Sequence, residues 1–447
     1  MKYLKETTSI KCKNRVYKHN ELNDIMNFLE KSLEPILDKK LRILIIDDNS
    51  IGGCLIYFFL FFNKCNTLAV SPKVYKENKI EILKNYDYNI IINCDFLFNC
   101  ESYEHLINYH KIMIGDNDII IYKRKAKFYE GKFDGTASFM SSGSTGKPKL
   151  ITHTHKSTLL FILHSIDIMG INERTRHVVC ASIGWDIWLL EVFAVLLKGG
   201  YIVLYDREYV SNSIFLDKII EYDSINSLQL TQTQFNSLFI NSISLFNLRT
   251  IILTGEPCFE VDYRNKLSGE VKIYNVYGSS EMHNVLYSVN DVTSFSIDGS
   301  AFDTTYPNVR LLFNDYNMLS VISKYNAFSF LNELGAIDSN DHLISDGDFL
   351  YYSGRNGCYL KLEEIKVINK VKQQLFNVMS GNNTYYRNEV FMKDKIIYIF
   401  IEGESKDFIC GEIESYGYNH MIVFNNKFPV NANGKVIIDF LYNKLPE

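Results

Sequence analysis

The sequence lacks a run of apolar residues long enough to cross a membrane. The most apolar stretch, Ile51 to Phe62, stops at Asn63 and Lys64, whereas a helix that spans a bilayer needs about 20 such residues. The N-terminal segment 1–15 also lacks the apolar core of a secretory signal peptide. We therefore expect a buried helix at Ile51 to Phe62 and no membrane partner.

Paired cysteines and an excess of basic charge are absent as well. The nine cysteines contain no CxxC pair and do not cluster with histidines, so neither a zinc site nor a disulfide framework is indicated. Scattered thiols are typical of a reducing compartment, and we expect a cytoplasmic protein. The formal net charge is −5, with Lys and Asp/Glu interspersed. This pattern does not favour nucleic acid as a partner.

What the sequence contains is an alternation of short apolar strands with helical segments. Segments such as Arg42 to Asp48, His177 to Ser182 and Val271 to Gly278 are rich in β-branched residues and end in turn-forming residues. Their alternation with helices predicts an α/β fold of mixed α+β layers with largely buried sheets. Beyond about Gly354 the pattern changes to a shorter αβ region. The 447 residues suffice for two or three domains.

One polar stretch, SSGSTGKPK, is suited to binding phosphate. It is not a Walker A loop, because Ser141 stands where the first Gly should be and Pro148 follows the lysine. Its glycines allow close approach of the backbone, while hydroxyls and Lys149 can surround an anion. A polar hairpin turn is the alternative. The candidate phosphate residues are Ser141, Ser142, Gly143, Ser144, Thr145, Gly146 and Lys149.

This loop resembles the signature loop of the adenylate-forming enzymes, although Leu150 replaces the closing Gly. That superfamily contains acyl- and aryl-CoA ligases, nonribosomal-peptide adenylation domains and luciferases. Residues 275–281 resemble its N-x-Y-G-x-T-E segment, with Ser280 for the Thr. The resemblance implies that Tyr277 stacks on adenine and that Glu281 helps to hold Mg²⁺. The nucleotide residues implied here are Asn275, Tyr277, Gly278 and Ser280.

Two further motifs follow in the family's order. Residues 429–435 resemble P-x-T-x-x-G-K, which implies that Lys435 contacts the acyl carboxylate and the α-phosphate and is catalytic, with Glu281 and Lys149. Gly354 and Arg355 match the family's G-R anchor near the ribose. For the ribose carboxylate we favour Asp341, with Glu333 and Asp348 as rivals. ATP and Mg²⁺ are the cofactors implied.

The resemblance runs from about Leu41 to the end of the chain. It implies a large N-terminal adenylation domain of stacked α/β subdomains, residues 1–353, with the acyl and ATP sites. Residues 354–447 would form a small mobile C-terminal α+β domain, a lid that pivots near Arg355 and carries Lys435.

The helical segment from Trp185 to Phe193 resembles the FDxSVWExF stretch of peptide-synthetase adenylation domains. This places Asp186 on the residue that pairs with a substrate α-ammonium, and an unpaired buried carboxylate would be costly. The alternative is an Asp favoured by a helix N-terminus. The same register implies a largely apolar pocket for a medium-sized neutral side chain, formed by Ile187, Leu190, Gln229, Ile252, Thr254, Val276, Asn284 and Val285.

One departure concerns the segment after Arg355, which runs GRNGCYLKLEEIKV. About half a dozen residues of the family's glycine loop are missing and Gly357 occupies the hinge position, so transfer to an acceptor is in doubt while adenylation is not. No G-G-x-S carrier motif is present. We expect a freestanding enzyme with a separate carrier protein.

The leading hypothesis is ATP-dependent formation of an aminoacyl-adenylate and its transfer to a phosphopantetheinyl carrier protein in a biosynthetic pathway. The alternatives are an acyl- or aryl-CoA ligase and a non-catalytic relative that binds an adenylate. The presence of Lys149, Glu281 and Lys435 argues against the last, because a binding module does not need all three.

Lys435→Ala should lower adenylate formation by roughly 10²-fold or more and leave ATP binding nearly intact. The reason is that the lysine acts on charge that develops fully only in the transition state. Pyrophosphate exchange and nucleotide binding measured on the same variant check this. Near-normal exchange would contradict the role of Lys435.

Overall fold

The computed structural model describes residues 4–34, 41–86, 88–94, 106–115, 117–124, 135–141, 149–291, 301–355, 358–382, 384–393, 395–403, 413, 416–425, 428 and 441. Its strands are β1 (Ser9–Cys12), β2 (Arg15–Lys18), β3 (Arg42–Ile46), β4 (Asn66–Val70), β5 (Ile90–Asn93), β6 (Leu106–Ile114), β7 (Asn117–Arg124), β8 (Thr136–Ser141), β9 (Lys149–Thr154), β10 (Arg176–Val178), β11 (Tyr201–Leu204), β12 (Ser227–Leu230), β13 (Thr250–Thr254), β14 (Lys272–Ser279), β15 (His283–Asp291), β16 (Ala301–Phe302), β17 (Thr304–Thr305), β18 (Val309–Phe313), β19 (Met318–Ser323), β20 (Ile337–Asp346), β21 (Phe349–Arg355), β22 (Cys358–Tyr359), β23 (Asn388–Lys393), β24 (Ile396–Glu402) and β25 (Asn419–Asn425). Its helices are α1 (His19–Leu33), α2 (Ile51–Phe62), α3 (Pro72–Asn85), α4 (His155–Met169), α5 (Asp186–Leu189), α6 (Val195–Lys198), α7 (Arg207–Ser211), α8 (Ser213–Tyr222), α9 (Gln232–Asn241) and α10 (Leu362–Gly381), with a π-helical turn at Leu190–Ala194 and a 3₁₀ turn at Phe328–Phe330.

Two large sheets dominate the fold. The strand order is β6-β7-β5-β3-β4-β8-β9 in one and β17-β15-β14-β13-β12-β10-β11-β1-β2 in the other. The inner strands of both are parallel and antiparallel strands close their edges. Strands β16 and β18–β22 form a smaller antiparallel sheet, and β23–β25 form a three-stranded sheet. The predicted α/β fold is confirmed.

A layer of helices lies between the two large sheets. One apolar core joins side chains of α1, α2, α4 and residues 188–196 to inward-facing residues of both sheets. Helix α2 is buried from Ile51 to Phe61, as expected of a helix that is apolar on all sides. This confirms the predicted buried helix. Of the helices in the described ranges, none is long and apolar enough to span a bilayer.

The outer faces of the sheets carry their own helices. Helix α3 packs on the seven-stranded sheet through Tyr75 and Ile82. Helices α8 and α9 pack on the nine-stranded sheet in a core that also contains α10, β23 and β24. The Phe376 ring of α10 lies 6.0 Å from Phe239 of α9 and 6.1 Å from Tyr263. The region after Gly354 is thus joined to α9 by apolar packing.

The predicted division between residues 353 and 354 falls inside β21. That strand pairs with β20 on one side and with β22 on the other. The two-domain organisation stays a prediction, as does the mobility of the C-terminal part.

The structure corrects two local predictions. The strand predicted from His177 to Ser182 ends at Val178, because the backbone N–H groups of Cys180 and Ala181 donate to the carboxylate of Glu191 at 3.2 and 2.8 Å. The helix predicted from Trp185 to Phe193 begins at Asp186 and widens into a π-helical turn. Such turns inside helices are frequent at functional sites.

Phe376→Ala should lower the free energy of unfolding by about 3 kcal/mol, since it removes a buried ring between α10 and α9. Urea unfolding measures this loss. Tyr316→Ala is the control, because Tyr316 is 72% exposed and its removal should change stability by under about 0.5 kcal/mol. Equal effects of the two substitutions would contradict the packing of α10 on α9.

Candidate active site

Three of the predicted nucleotide residues meet at one ion pair. Asp341 on β20 and Arg355 on β21 are register partners, and Arg355 donates from Nε to Oδ1 at 2.6 Å and from Nη2 to Oδ2 at 3.0 Å. The hydroxyl of Tyr277 donates to Oδ2 of the same carboxylate at 2.7 Å. The hydrogen bond with Asp341 raises the pKa of Arg355 further above its usual range, so the guanidinium stays charged.

The rival carboxylates lie elsewhere. Asp341 is 1% exposed, whereas Glu333 and Asp348 are exposed residues in turns. Spacing in the sequence did not decide which of these three carboxylates is the ribose ligand. The position of Asp341 on the paired strand, directly opposite Arg355, gives its carboxylate this bidentate contact. The geometry therefore favours Asp341, and its contact with ribose stays a prediction.

The ring of Tyr277 is packed rather than open. It lies 5.6 Å from the ring of Phe302 and 6.5 Å from that of Tyr352, and the residue is 9% exposed. Burial, then the charge of Asp341, raises the pKa of Tyr277 well above its usual value, so its hydroxyl remains a donor. Stacking of this ring on adenine stays a prediction.

Gly278 permits the turn that carries Glu281. The pairing of β14 with β15 shifts register between Tyr277 and Gly278, and a Cβ at position 278 would lie 2.1 Å from the carbonyl oxygen of His283. The turn is held from the other side by the backbone N–H of Ala327, which donates to the carbonyl of Glu281 at 2.8 Å. Any side chain at 278 would push the turn away from β15.

Glu281 is a half-buried single carboxylate on this turn. Among the described residues there is no group of three His, Cys, Asp or Glu side chains able to hold a metal. One carboxylate still fits Mg²⁺, which proteins commonly bind through one or two carboxylates together with substrate phosphates. The predicted role of Glu281 is compatible with this position.

Asp186 is the other buried carboxylate, and it has protein partners on both oxygens. The Ser280 hydroxyl donates to Oδ1 at 3.1 Å and the His283 ring lies with Nδ1 3.2 Å from Oδ2. Burial acts to raise the pKa of Asp186, but the hydrogen bond and charge of His283, with smaller effects of His153 and Ser280, hold that pKa below its usual value. Asp186 is therefore an anion at neutral pH.

His283 and His153 were missed by sequence reasoning. His283 has a φ of 57°, and its ring is stacked between His153 at 4.0 Å and Phe161 at 4.5 Å. His153, on β9, lies between two backbone carbonyls, 2.8 Å from that of Tyr325 and 2.6 Å from that of Ser280. Burial, then the charge of His283, lowers the pKa of His153 to about 3. The sequence feature that could have indicated these two histidines is their position, since each lies beside one of the nucleotide motifs and at the end of a strand.

Four of the eight predicted pocket residues lie on one face of the nine-stranded sheet. Gln229 pairs with Ile252, and Thr254 pairs with Val276. Ile252 and Val276 belong to the same apolar core as Leu190. Ile187 follows Asp186 and is half-buried.

The remaining two pocket residues are on β15. Asn284 is buried beside Tyr306. Asn284 acts to lower the pKa of Tyr306, but burial of the phenol has the larger effect and raises that pKa above its usual value. Val285 packs with Tyr277 and Met282 in a different cluster. The structure does not bring Val285 to the others, because the register shift at Gly278 turns this residue to the opposite side.

The phosphate-loop prediction is only partly within the described residues. Ser141 and Lys149 are register partners at the ends of the antiparallel strands β8 and β9. Ser142, Gly143, Ser144, Thr145 and Gly146 lie outside the described residues, as do Lys435 and Gly357. Their roles stay predictions.

Comparison with known proteins finds relatives that match part of this chain. Residues 134–311 match the model of the AMP-binding enzyme family. Tyrocidine synthase 3 of Brevibacillus parabrevis is 22% identical over 343 residues, which are 66% of this chain and 5% of that protein. The chain therefore spans about a twentieth of the length of that curated relative.

Two solved structures share the fold. A four-domain nonribosomal peptide synthetase bound to AMP and glycine superposes with a TM-score of 0.75 at 16% identity, covering 99% of this chain and 35% of that one. The o-succinylbenzoate-CoA synthetase of Bacillus subtilis, in complex with its acyl-adenylate, gives 0.72 at 14% identity, covering 99% and 96%.

Asp341→Asn should raise the KM for ATP while changing kcat for pyrophosphate exchange little, because a ribose contact is made in both the ground and the transition state. It should also lower stability by about 1–2 kcal/mol, since a charged hydrogen-bond acceptor of Arg355 and Tyr277 is lost. Steady-state kinetics and urea unfolding measure the two effects. Glu333→Gln and Asp348→Asn are the matched controls, and an effect of either on KM without one from Asp341→Asn would contradict the assignment.

Proposed function

We propose that this chain, whose residues 134–311 match the AMP-binding enzyme family, activates the carboxylate of an amino acid with ATP. The acid's oxygen attacks the α-phosphorus, an aminoacyl-adenylate forms and pyrophosphate leaves. The observation that carries this proposal is the position of Asp186, a buried anion hydrogen-bonded to the residue just before Glu281. An ammonium at Asp186 would place the adjacent carboxylate near the nucleotide residues.

The protein's own groups have separate tasks in this reaction. Segment 141–149, including Lys149, would bind the phosphates, and the pair of Asp341 with Arg355 would hold the ribose. Glu281 would hold Mg²⁺, which supplies neutralisation of the triphosphate charge when bound. Lys435 stabilises the charge that develops as the carboxylate approaches phosphorus.

Asp186 keeps capacity for one more partner. A carboxylate offers about four acceptor positions, and Ser280 and His283 occupy two of them. The side chain of Asp186 is 11% exposed, which leaves an edge open to a substrate ammonium. From sequence, a substrate cation was the only partner expected; the structure adds two internal ones, which fix the orientation of the carboxylate.

We further propose a separate phosphopantetheinyl carrier protein as the acceptor. Arg355 and Cys358 are register partners of β21 and β22, so only two residues separate the strands at the point where the family has its longer glycine loop. A carrier protein brings docking contacts that can substitute for a missing wall of the pantetheine channel, whereas free CoA does not.

The second candidate is an acyl- or aryl-CoA ligase. It is favoured by the contact of His283 with Asp186, which satisfies the carboxylate without any ammonium. The o-succinylbenzoate-CoA synthetase that shares the fold was solved with its acyl-adenylate intermediate. In this alternative the contact between Asp186 and His283 stabilises the pocket and does not bind the substrate.

Pyrophosphate exchange with matched amino and des-amino acids separates the two functions. We expect the wild-type protein to favour amino acids by roughly 10- to 100-fold, the equivalent of about 1.5–3 kcal/mol for a hydrogen bond to a charged group. Asp186→Asn should abolish this preference, because the anion that recognises the ammonium is gone.

The control for that substitution is Asp315→Asn, in an exposed turn, which should behave as wild type. A wild-type preference for the des-amino acids would reject the amino-acid proposal and favour the CoA ligase. Exchange with neither class would reject both.

A further inference from the structure

Gln229 is a buried amide without a partner. It lies in the middle of β12 and is 3% exposed, and neither its Oε1 nor its Nε2 has a hydrogen-bond partner among the described residues. Buried amides are nearly always hydrogen-bonded, because burial removes water and leaves the dipole uncompensated. An unpaired glutamine in a central strand therefore destabilises the protein on its own.

A second glutamine nearby shows the usual arrangement. Gln232, at the start of α9, is 1% exposed, yet its Nε2 donates to the carbonyl of Phe259 at 2.6 Å and its Oε1 accepts from the N–H of Phe259 at 2.8 Å. Both amides are equally buried and three positions apart. Only the one on β12 is left unsatisfied.

The neighbours of Gln229 place it in the proposed acid site. Its register partner Ile252 faces the helical layer that contains Leu190, and strand β12 adjoins β10, which leads into the segment before Asp186. Side chains at alternate positions of paired strands lie on the same face. The Gln229 amide is thus on the face that the acid's side chain would contact.

We propose that Gln229 recognises the far end of the acid, and that this end is a neutral polar group with both a donor and an acceptor, above all a carboxamide. The inference rests on the proposed function, because it places the acid along this face. A carboxamide pairs with both atoms of the glutamine. A carboxylate would leave Oε1 without a donor, an ammonium would leave Nε2 without an acceptor, and a hydrocarbon would leave both unpaired.

Two matched pairs of acids test the inference by pyrophosphate exchange. They are asparagine against leucine, and 3-carbamoylpropanoate against 4-methylpentanoate, which repeat the same end groups without the α-amino group. In the pair that supports exchange, the amide acid should have the higher kcat/KM by roughly 10²-fold or more, as expected when a site is built to hydrogen-bond its substrate.

The outcomes distinguish this inference from the proposed function. Amide preference in the second pair alone would support the inference and reject the amino-acid substrate. Preference for the hydrocarbon acid, or no exchange with any of the four, would overturn the inference. Whether other amino acids support exchange is decided by the separate comparison of amino and des-amino acids.

Gln229→Leu and Gln232→Leu supply the matched protein variants. Gln229→Leu should raise Tm by about 2 °C, since it removes an unpaired buried amide, and it should abolish the preference for amide acids. Gln232→Leu should lower Tm, because it leaves the backbone N–H and carbonyl of Phe259 without these hydrogen-bond partners. It should leave the preference for amide acids unchanged. Equal losses of Tm in the two variants, or an unaltered preference in Gln229→Leu, would contradict the inference.

Discussion

The buried charge of Asp186 is the constraint on which the proposed site depends. An anion excluded from water must be hydrogen-bonded, or the free energy of burying it exceeds what packing can offset. Ser280 and His283 provide those bonds. Ser280 lies in the turn that joins β14 to β15, and His283 is the first residue of β15. The need to satisfy one carboxylate on α5 therefore fixes the position of the turn that carries Glu281.

Ser280 connects three parts of the fold at this point. Its hydroxyl bonds to Asp186, while its backbone carbonyl is contacted by His153, which lies on β9, the strand that begins at Lys149. Displacement of Asp186 would consequently move the turn that carries Glu281 and strand β9. The left-handed φ of His283 is a small backbone strain that this network overcomes.

Sequence patterns predicted the elements far better than the contacts between them. The limits of α2 followed from an unbroken apolar run. The choice of Asp341 over Glu333 needed strand register, which spacing does not contain. The role of His283 needed knowledge of which face of β15 meets α4.

Specificity was the least predictable feature. The predicted pocket contained Gln229 as one of three polar residues among apolar ones, and nothing in the sequence indicates that Gln229 lacks a hydrogen-bond partner while Gln232 has one. Their difference is purely tertiary, since one glutamine has the backbone of Phe259 as a partner and the other has none among the described residues.

The central claim, attack of an acid's carboxylate on the α-phosphorus of ATP, is tested most directly by isotope transfer. The purified protein is supplied with ATP, Mg²⁺ and an accepted acid labelled with ¹⁸O in its carboxylate, and an acceptor nucleophile is added to discharge the intermediate. Because the bridging oxygen of the adenylate comes from the acid and leaves with the nucleotide, we predict one ¹⁸O atom in AMP and none in pyrophosphate. Label in inorganic phosphate accompanied by ADP, or AMP without label, would contradict adenylate formation.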